Sequence, residues 1–508
     1  MRKNKNVSKD RLFLWGILVL GTILRFFMIW KRPFDGDEGV VLKVANLSHF
    51  KDIFQGAATD VHPPLLHFLI HISTKIFGFS TFSARLPSAL AGIAAIYFSF
   101  LIFQKLFDKK IGLISAFLVS LSALLIYSSQ EARFYSLLTF LFLGAFYFVL
   151  KIREKSKFYS WLGFGIFSLA MVYTQYLGWL MLGFLSLILL WQKKDILKNV
   201  LKILAVWFLA ILAYIPQFPI MFNQIHGRFS EQPATLAIKA NLIGIFNAFY
   251  RFSAGRIFLD LNPSLHDNIA WLKSQPLIFI LFLITLILPA VFFVAGLVYS
   301  FLKKLKGRIL VSLVLIFGIV LSLAISEIGS RSVRYLLFIS PFYYGFLSLG
   351  IFYLWPKRFG KILSIFLIII FGWALVNYYH FTVKAAGENT IAQFLAANIK
   401  ENEAILVKGS FGGGDSFIFS YYWPKGKPQP AVYDFYGEYK VGNLTELKNI
   451  PLEEKINEAL KDHPAVWVYD FTYSQEAKNV AQMRNAPEYL IGFDKEGKPI
   501  ILWYFQKK

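Results

Sequence analysis

Long apolar runs recur through the first three quarters of the chain, and they restrict its folding more than any other feature. A helix needs roughly 17–25 apolar residues to cross a bilayer, where the backbone must satisfy its own polar groups. Only 16% of the residues are charged, against about 25% in soluble domains. We predict eleven membrane-spanning helices, at 12–30, 86–104, 111–129, 134–150, 158–173, 176–192, 201–220, 276–301, 309–326, 335–355 and 362–380.

Basic residues distinguish the two sides of the membrane. Residues 1–380 carry 38 Lys and Arg against 14 Asp and Glu, whereas residues 381–508 carry 15 against 16. Because short basic loops mark the cytoplasmic side, we predict a multi-pass protein of the cell (plasma or inner) membrane with a cytoplasmic N-terminus and an extracytoplasmic C-terminal domain. One long bent helix at 158–192 is the alternative, and it would invert everything downstream. The basic links are the N-terminus, "QKLFDKK", "KIREKSK", "QKKDILK", "KKLKGR" and "PKRFGK".

Two further features exclude whole classes of protein. The positive charge follows the membrane loops, so we predict no nucleic-acid partner. The chain contains no cysteine, which excludes disulfide bonds, thiolate catalysis and cysteine metal sites. No small-residue cleavage site follows the first apolar run, so we expect an uncleaved span rather than a signal peptide.

The first predicted outer loop, residues 31–85, opens on three acids in "FDGDEG": Asp35, Asp37 and Glu38. A single acid after a span is most often a solvated loop start. Three acids at the edge of the membrane are different, because burial and a neighbouring like charge raise the pKa of a carboxyl group towards that of a general base. We therefore predict that Asp37 is a catalytic base, with Glu38 and Asp35 in support.

The same loop continues with "HPPLLHFLIHISTKIFGF" (62–79), whose apolar spacing predicts an amphipathic helix lying in the membrane interface. His62 precedes two prolines, so it is either part of a rigid helix cap or a group held near the acids to bind phosphate or a metal. His67 and His71 share one helix face. They resemble a metal pair, but without an HExxH motif we favour interfacial histidines.

Charged residues also stand at the later outer turns. Glu131 and Arg133 lie in "YSSQEARFYS" (127–136) between two spans with almost no loop, and they are either a structural pair or functional. Arg334 and Tyr335 enter a late span, either as an interface anchor or as a phosphate-binding pair. Arginine is disfavoured on this face, so an anionic ligand would explain several of them. The other outer arginines are Arg228, Arg251, Arg256 and Arg331.

Taken in order, four of these segments resemble a known family. They are "FDGDEG" after the first span, "HPPLLHFLI" in the first loop, "SSQEARFYSLL" at the second outer turn and "RYLLFISPFYY" late in the chain. This set is similar to motifs of the bacterial membrane glycosyltransferases of family 39, which include protein O-mannosyltransferases and the aminoarabinose transferases of lipid A. The resemblance extends over about residues 10–380.

The resemblance implies a GT-C fold and the inverting transfer of a sugar from a polyprenyl phosphate to an acceptor hydroxyl on the outer face. It assigns deprotonation of the acceptor to Asp37-Glu38. Arg and His can stabilise a leaving phosphate electrostatically, so we expect no obligatory cofactor and predict no metal ligand, although a divalent cation is compatible. The predicted donor-phosphate set is Arg334, Tyr335, Arg133 and His62, with support from Glu131, Arg331 and Arg256.

Residues 381–508 have the pattern of a small α/β domain. "NTIAQFLAANIKENEAILVKG" predicts helix, turn and strand, "PAVWVYDF" a strand, and "EYLIGFDKEGKPIILWYF" a hairpin. The glycine-rich stretch 408–423 lacks the GK[ST] of a phosphate loop, so it is either a platform for a glycan or a surface loop beside a core strand. We expect this domain to cover the outer cavity and to help select the acceptor.

The sequence thus predicts a mainly α polytopic GT-C protein. Residues 1–380 form its catalytic domain, with outer loops at 31–85 and 221–275, and residues 381–508 form the α/β domain. We expect a hexosyl- or pentosyltransferase whose partners are a polyprenyl-phosphate-linked sugar, a lipid, glycan or protein acceptor, and membrane lipid. The alternatives are a flippase of lipid-linked sugars, which would carry inverted repeats, and an O-antigen-type ligase or polymerase, which would use a late loop such as 221–275.

Overall fold

The chain forms two compact units, which are described one at a time. The helical unit consists of Met1–Phe27, Arg85–Pro216 and Pro233–Tyr379. The mixed unit consists of Met28–Ala84, Gln217–Gln232 and His380–Lys508. The structure is a computed structural model that describes residues 2–60, 62–191, 196–229, 237–255, 276–324, 333–383, 387–408, 414–434, 451–470, 475–493 and 499–507.

The described α-helices are numbered in chain order. They are α1 (Arg2–Phe26), α2 (Gly36–Ala45), α3 (Phe50–Gly56), α4 (Leu65–Phe77), α5 (Thr81–Leu106), α6 (Lys109–Leu121), α7 (Ala123–Ser129), α8 (Tyr135–Glu154), α9 (Phe158–Val172), α10 (Leu177–Leu190), α11 (Ile196–Tyr214), α12 (Phe218–Phe229), α13 (Ala237–Ala254), α14 (Pro276–Leu302), α15 (Arg308–Ala324), α16 (Ser340–Leu354), α17 (Arg358–Asn377), α18 (Glu388–Asn398), α19 (Gly414–Tyr422), α20 (Leu452–Asp462) and α21 (Gln475–Met483). Short 3₁₀ segments lie at Ala57–Thr59, Ile215–Gln217 and Val333–Ile339, and one π-helical turn at Tyr378–Thr382.

Each of the eleven predicted spans overlaps at least one helix, so the polytopic α-helical class is confirmed. Stretch 158–192 forms two helices, α9 and α10, which excludes the single bent helix. Among the described residues, six helices are long and apolar enough to cross a membrane alone, and the bent pair α6 and α7 would add a seventh. The number eleven therefore stays a prediction. The six are Thr81–Leu106, Tyr135–Glu154, Leu197–Gln224, Pro276–Leu302, Arg334–Leu354 and Arg358–His380.

The span predicted at 111–129 is broken at Ser122, where α6 and α7 meet at 62°. A helix end leaves its last carbonyl groups without helical donors, and lipid supplies none. The fully buried Arg25 donates hydrogen bonds to the carbonyl oxygens of Val119 (3.3 Å) and Ser120 (3.4 Å) at the end of α6. Arg25 therefore stabilises the break between α6 and α7. The next turn of the chain follows the short helix α7.

Helices α14 and α16 of the helical unit cross in backbone contact. A Cβ atom on Gly296 would lie 1.9 Å from the Phe346 carbonyl oxygen, and one on Gly350 would lie 1.9 Å from the Phe292 carbonyl oxygen. Because lipid tails are as apolar as the side chains, close packing of small residues is a main source of attraction between membrane helices.

Helix α13 occupies the centre of the stretch 221–275, where we expected a loop. Its Tyr250 hydroxyl lies 3.3 Å from Thr285 Oγ1, and its Ser253 hydroxyl lies 2.8 Å from the Tyr343 hydroxyl. These side chains are buried, so α13 is part of the core of the helical unit. Residues 230–236 and 256–275 lie outside the described residues.

In the mixed unit, the amphipathic helix predicted at 62–79 is present as α4. Its exposed face is mainly apolar, with Ile72 45%, Ile76 67% and Phe77 59% exposed beside the exposed Lys75. His67 and His71 lie on the buried face, so the interpretation of these two as interfacial histidines is wrong. A helix whose apolar side points outward suits an interface with lipid.

The C-terminal part of the mixed unit is a five-stranded sheet in the order β2-β1-β3-β5-β4. Strands β2, β1 and β3 are parallel, and β3, β5 and β4 are antiparallel. Apolar clusters cover both faces, which is typical of a sheet packed between helices. The helix, turn and strand predicted after residue 388, the strand of "PAVWVYDF" and the hairpin are confirmed. The strands are β1 (Ala404–Lys408), β2 (Ala431–Asp434), β3 (Ala465–Asp470), β4 (Glu488–Phe493) and β5 (Pro499–Gln506).

Candidate active site

The three acids of the first loop lie at the start of helix α2, in the mixed unit. Asp35 is the N-cap residue, and its side chain accepts a hydrogen bond from the backbone N–H of Glu38 at 3.0 Å. The Glu38 carboxylate accepts one in return from the backbone N–H of Asp35 at 3.3 Å. This reciprocal pair is a capping box, which satisfies two N–H groups that a helix start leaves without helical acceptors.

Glu38 has a second partner, Arg32. The Arg32 Nη2 atom lies 3.3 Å from Glu38 Oε2, and the side chains are 4% and 0% exposed. A buried carboxylate is costly unless a cation and hydrogen bonds compensate it, and here both are present. Glu38 thus has a structural role at the start of α2. The sequence did not reveal its pairing with Arg32, to which we assigned no function.

Asp37 lies in the first turn of α2 and takes no part in the capping box. Its side chain is partly exposed, whereas that of Glu38 is fully buried. The structure therefore distinguishes the acids: Asp35 caps the helix, Glu38 joins the cap to Arg32, and Asp37 lies in the turn between them. Partial exposure of a carboxylate is one requirement for a general base, which must reach its substrate.

The histidines of the first loop are buried in the mixed unit. His67 Nε2 lies 3.1 Å from Asp60 Oδ2, and His71 Nδ1 lies 2.9 Å from the carbonyl oxygen of Ala45, the last residue of α2. These two contacts join α4 to its neighbours. His62 is also buried, before the start of α4. Among the described residues, no group of three or more His, Asp or Glu side chains could hold a metal ion.

A second charged set lies in the helical unit, at the turn between α7 and α8. Glu131 is fully buried, and its Oε1 atom lies 3.6 Å from Nη1 of Arg334. The Arg334 guanidinium stands over the Tyr135 ring, 5.2 Å from its centroid, and 28% of its side chain is exposed. The fold thus brings together Glu131 and Arg334, which are about 200 residues apart in the sequence, and it leaves Arg334 partly exposed.

Arg133 and Tyr335 belong to the same set. Arg133 is 6% exposed, and its guanidinium lies 5.8 Å from the centroid of the Phe134 ring. Tyr335 packs on Phe134 and Tyr135, with ring centroids 5.8 Å apart in both pairs. Each of the two guanidinium groups thus lies against an aromatic ring, in a cation–π arrangement that favours this position of the side chain.

Gln130 attaches this turn to the first membrane helix. Its Nε2 atom donates hydrogen bonds to the carbonyl oxygens of Arg25 (2.9 Å) and Phe27 (2.8 Å) at the end of α1. Its Oε1 atom accepts one from the Tyr378 hydroxyl at 2.6 Å. Sequence reasoning missed Gln130, although a buried amide between two spans beside Glu131 was the available signal.

Two of the predicted supporting residues lie outside the described residues. Arg331 and Arg256 fall in the undescribed stretches 325–332 and 256–275, so their support of a phosphate site stays a prediction. Of the other outer arginines, Arg251 lies at the end of α13, and its Nε donates to Asn247 Oδ1 at 3.0 Å.

Solved structures share the fold of this chain over almost its whole length. The structure of ArnT from Cupriavidus metallidurans in the apo state matches 98% of this chain and 98% of its own, with a TM-score of 0.57 and 12% identity. ArnT bound to undecaprenyl phosphate gives a TM-score of 0.55 over the same shares. The Archaeoglobus fulgidus oligosaccharyltransferase, solved with zinc and sulfate, matches 90% of this chain and 68% of its own, with a TM-score of 0.55 and 14% identity.

Sequence comparison finds matches over part of the chain. Residues 61–219 match the family model described as dolichyl-phosphate-mannose-protein mannosyltransferase. YkcB of Bacillus subtilis (strain 168), provisionally named a mannosyltransferase, is 25% identical over 147 residues. This match covers 28% of the chain and 20% of YkcB, so the chain spans about a fifth of that relative's length. The resemblance inferred from the motifs is therefore confirmed.

Proposed function

We propose that the protein is a membrane glycosyltransferase that moves a sugar, with inversion, from a polyprenyl phosphate to an acceptor hydroxyl. The observation that carries this proposal is the fold likeness over 98% of both chains to ArnT, which has been solved with undecaprenyl phosphate bound. The match of residues 61–219 to a family named for a dolichyl-phosphate sugar supports the same donor class.

Asp37 is the proposed base. Its carboxylate accepts the proton of the acceptor hydroxyl as the hydroxyl oxygen attacks the anomeric carbon of the sugar. The bond from that carbon to the phosphate oxygen breaks, and its electron pair leaves with the polyprenyl phosphate. Attack opposite to the leaving group inverts the anomeric centre. The capping box of Asp35 and Glu38 supports this assignment because it fixes the turn that carries Asp37.

Arg334 and Arg133 are the proposed phosphate-binding groups, with Tyr335 and His62 as further contacts. Negative charge grows on the phosphate as the bond to the sugar breaks, and fixed guanidinium groups stabilise that charge more than they stabilise the donor. Glu131 holds Arg334 from its buried side. Because two arginines supply the positive charge, we propose that transfer needs no metal ion. Chelation with EDTA should then leave the rate unchanged.

We propose that the reaction takes place on the extracytoplasmic face of the cell membrane, with the N-terminus in the cytoplasm. The six basic links support this orientation through the positive-inside rule. A lipid carrier suits that side, since nucleotide sugars are cytoplasmic. The transferred group is a hexose or a pentose, and the acceptor is a lipid, a glycan or a protein.

The proposal is tested with the purified full-length protein in detergent and synthetic polyprenyl-phosphate sugars as donors. Loss of a general base lowers the rate by about 10²–10⁴-fold, which we expect for Asp37→Asn. Asp52→Asn is the matched control, because Asp52 lies in the first turn of α3 in the same loop and is exposed. Full transfer by Asp37→Asn would refute the base. Translocation of lipid without transfer from any donor would instead identify a flippase.

A further inference from the structure

Helix α19, which follows the glycine-rich stretch of the C-terminal part, packs directly on the acid-bearing helix α2 inside the mixed unit. A Cβ atom on Gly39 would lie 2.2 Å from the Gly414 carbonyl oxygen. A Cβ atom on Gly414 would lie 2.5 Å from the Gly36 carbonyl oxygen and 2.6 Å from the Val40 nitrogen. The two backbones are therefore in contact, and neither position has room for a side chain larger than hydrogen.

A tyrosine at the other end of α19 binds the backbone just before α2. The N–H of Phe34 donates a hydrogen bond to the Tyr422 hydroxyl at 2.9 Å. Phe34 immediately precedes the N-cap Asp35, and its ring is 1% exposed. The Phe34 ring packs against Tyr421 and Tyr422, with centroids 5.5 and 6.3 Å away. This hydrogen bond and these rings fix the point where α2 begins.

These contacts lie on both sides of Asp37. The tyrosine contact is at Phe34, before the capping box, and the glycine contact is at Gly39, after it. A ten-residue helix has little intrinsic stability, so its direction is set by what it packs against. On one side of α2, that packing comes from α19.

We propose that the C-terminal part of the chain is a positioning element for the transfer reaction, with Gly39, Gly414 and Tyr422 as positioning residues that act through Asp37. This inference rests on the proposed function, which assigns the base to Asp37. The glycines let α19 approach α2 closely, and the tyrosine fixes the first turn of α2. Gly414, the last glycine of "FGGGD", thereby gains a function that a glycan platform or a surface loop does not explain.

The first test is Gly414→Ala, with Gly39→Ala as its partner on the other helix. A displacement of about 1 Å costs on the order of 10²-fold in rate, so we expect kcat to fall by that amount. KM for the donor should stay within about twofold, because the variant misplaces a group that acts in the transition state. Gly16→Ala is the control, since a Cβ there meets nothing within 4 Å. An unchanged kcat in both variants would refute the proposal.

Tyr422→Phe is the milder variant, because it keeps the ring and removes only the hydroxyl. Loss of one hydrogen bond is worth about 5–10-fold, which we expect in kcat with the folded protein intact. Tyr433→Phe is the matched control, since its hydroxyl bonds His463 at the sheet, 3.0 Å away. Equal rates in these two variants would contradict the positioning of Asp37 by Tyr422.

The decisive test combines Gly414→Ala with Asp37→Asn. If the glycine acts through Asp37, the double variant transfers sugar no more slowly than Asp37→Asn alone. A further full loss would show that Gly414 acts elsewhere and would overturn the proposal.

Hydrogen exchange at residues 34–45 gives a readout that does not depend on activity. Exchange should be faster in Gly414→Ala than in the wild type, and unaltered exchange would refute the contact. A wild type that transfers no sugar would instead refute the proposed function, and the positioning proposal would be refuted with it.

Discussion

The Arg32 guanidinium and the Glu38 carboxylate form an ion pair, 3.3 Å apart, that is almost completely buried in the mixed unit. Glu38 also belongs to the capping box of α2, so the pair connects the chain before the helix with its first turn. This relationship gives the fully buried acid of the cluster a structural role.

Arg32→Met should therefore act mainly by lowering the free energy of unfolding. Removing one partner of a buried ion pair leaves the other charge uncompensated, which costs about 3–5 kcal/mol. The double variant Arg32→Met, Glu38→Met removes both charges and should recover part of that loss. The measurement is the thermal unfolding midpoint in detergent. A double variant that is less stable than Arg32→Met would contradict the prediction.

Arg334→Met should reduce the use of the donor. A hydrogen bond to a charged group is worth about 1.5–3 kcal/mol, so kcat/KM for the donor should fall on the order of 10–100-fold. Arg334→Lys should lie between the wild type and Arg334→Met, because lysine keeps the charge without the planar fork. Arg484→Met is the control: it breaks a partly exposed ion pair with Glu453 in the C-terminal part of the mixed unit, and such a pair contributes little. Equal effects at both sites would argue against a phosphate contact.

Glu131→Gln tests whether the buried acid holds Arg334 in position. The Oε1 atom of Glu131 is 3.6 Å from the guanidinium, so the amide should weaken the orientation of Arg334 without removing it. We expect a smaller fall in kcat/KM than for Arg334→Met, and no further fall when the two substitutions are combined. Additive losses, measured by steady-state kinetics with varied donor, would show that Glu131 acts independently.

Gln130→Leu should lower stability, because it removes a buried amide that bonds the end of α1 and the Tyr378 hydroxyl. Unmet buried polar groups cost about 1–3 kcal/mol each. Tyr378→Phe removes one of these bonds and should cost less, and in the Gln130→Leu background it should cost almost nothing. A double-mutant cycle of unfolding midpoints measures this coupling, and a coupling energy of zero would contradict it.

Gly350→Ala should disturb the crossing of α14 and α16. Its new methyl group would lie 1.9 Å from a backbone carbonyl oxygen, so the helices must separate, and overpacking of this kind costs about 1–3 kcal/mol. Gly372→Ala is the matched control: it lies in a helix with nothing within 4 Å and should gain helix propensity of up to about 1 kcal/mol. Opposite shifts of the two unfolding midpoints are the expected result. A midpoint for Gly350→Ala at or above that of the wild type would refute the close contact.

Much of the fold was predictable because its signals are local. Apolar runs gave the positions of the membrane helices, and alternation with a turn gave the hairpin of β4 and β5. The prediction of a loop at 221–275 did not anticipate α13, because this helix is held in the core by residues distant in sequence, such as Tyr343. The lengths of the runs also could not show that a span breaks at Ser122, where Arg25 from another helix bonds the carbonyl oxygens at the end of α6.

The sequence singled out the residues of the candidate site, but it did not show what each of them contacts. The capping box was present in the sequence as Asp35 followed three residues later by Glu38, which is a known helix-start signature that we did not use. The burial of Glu38 against Arg32 has no such signature. The pairing of Glu131 with Arg334 also has no sequence signature, because these residues lie in segments that only the folded helical unit brings together.

The sequence by itself determined that the chain is a polytopic membrane protein, which acids and arginines it carries, and which family it resembles. These follow from composition and from patterns within one or two turns of the chain. The tertiary structure alone decided which acid is buried, which turn residue meets Arg334, and that Gly39 meets Gly414. The physical reason is that burial and backbone contact depend on groups far apart in the chain, whose approach no local pattern records.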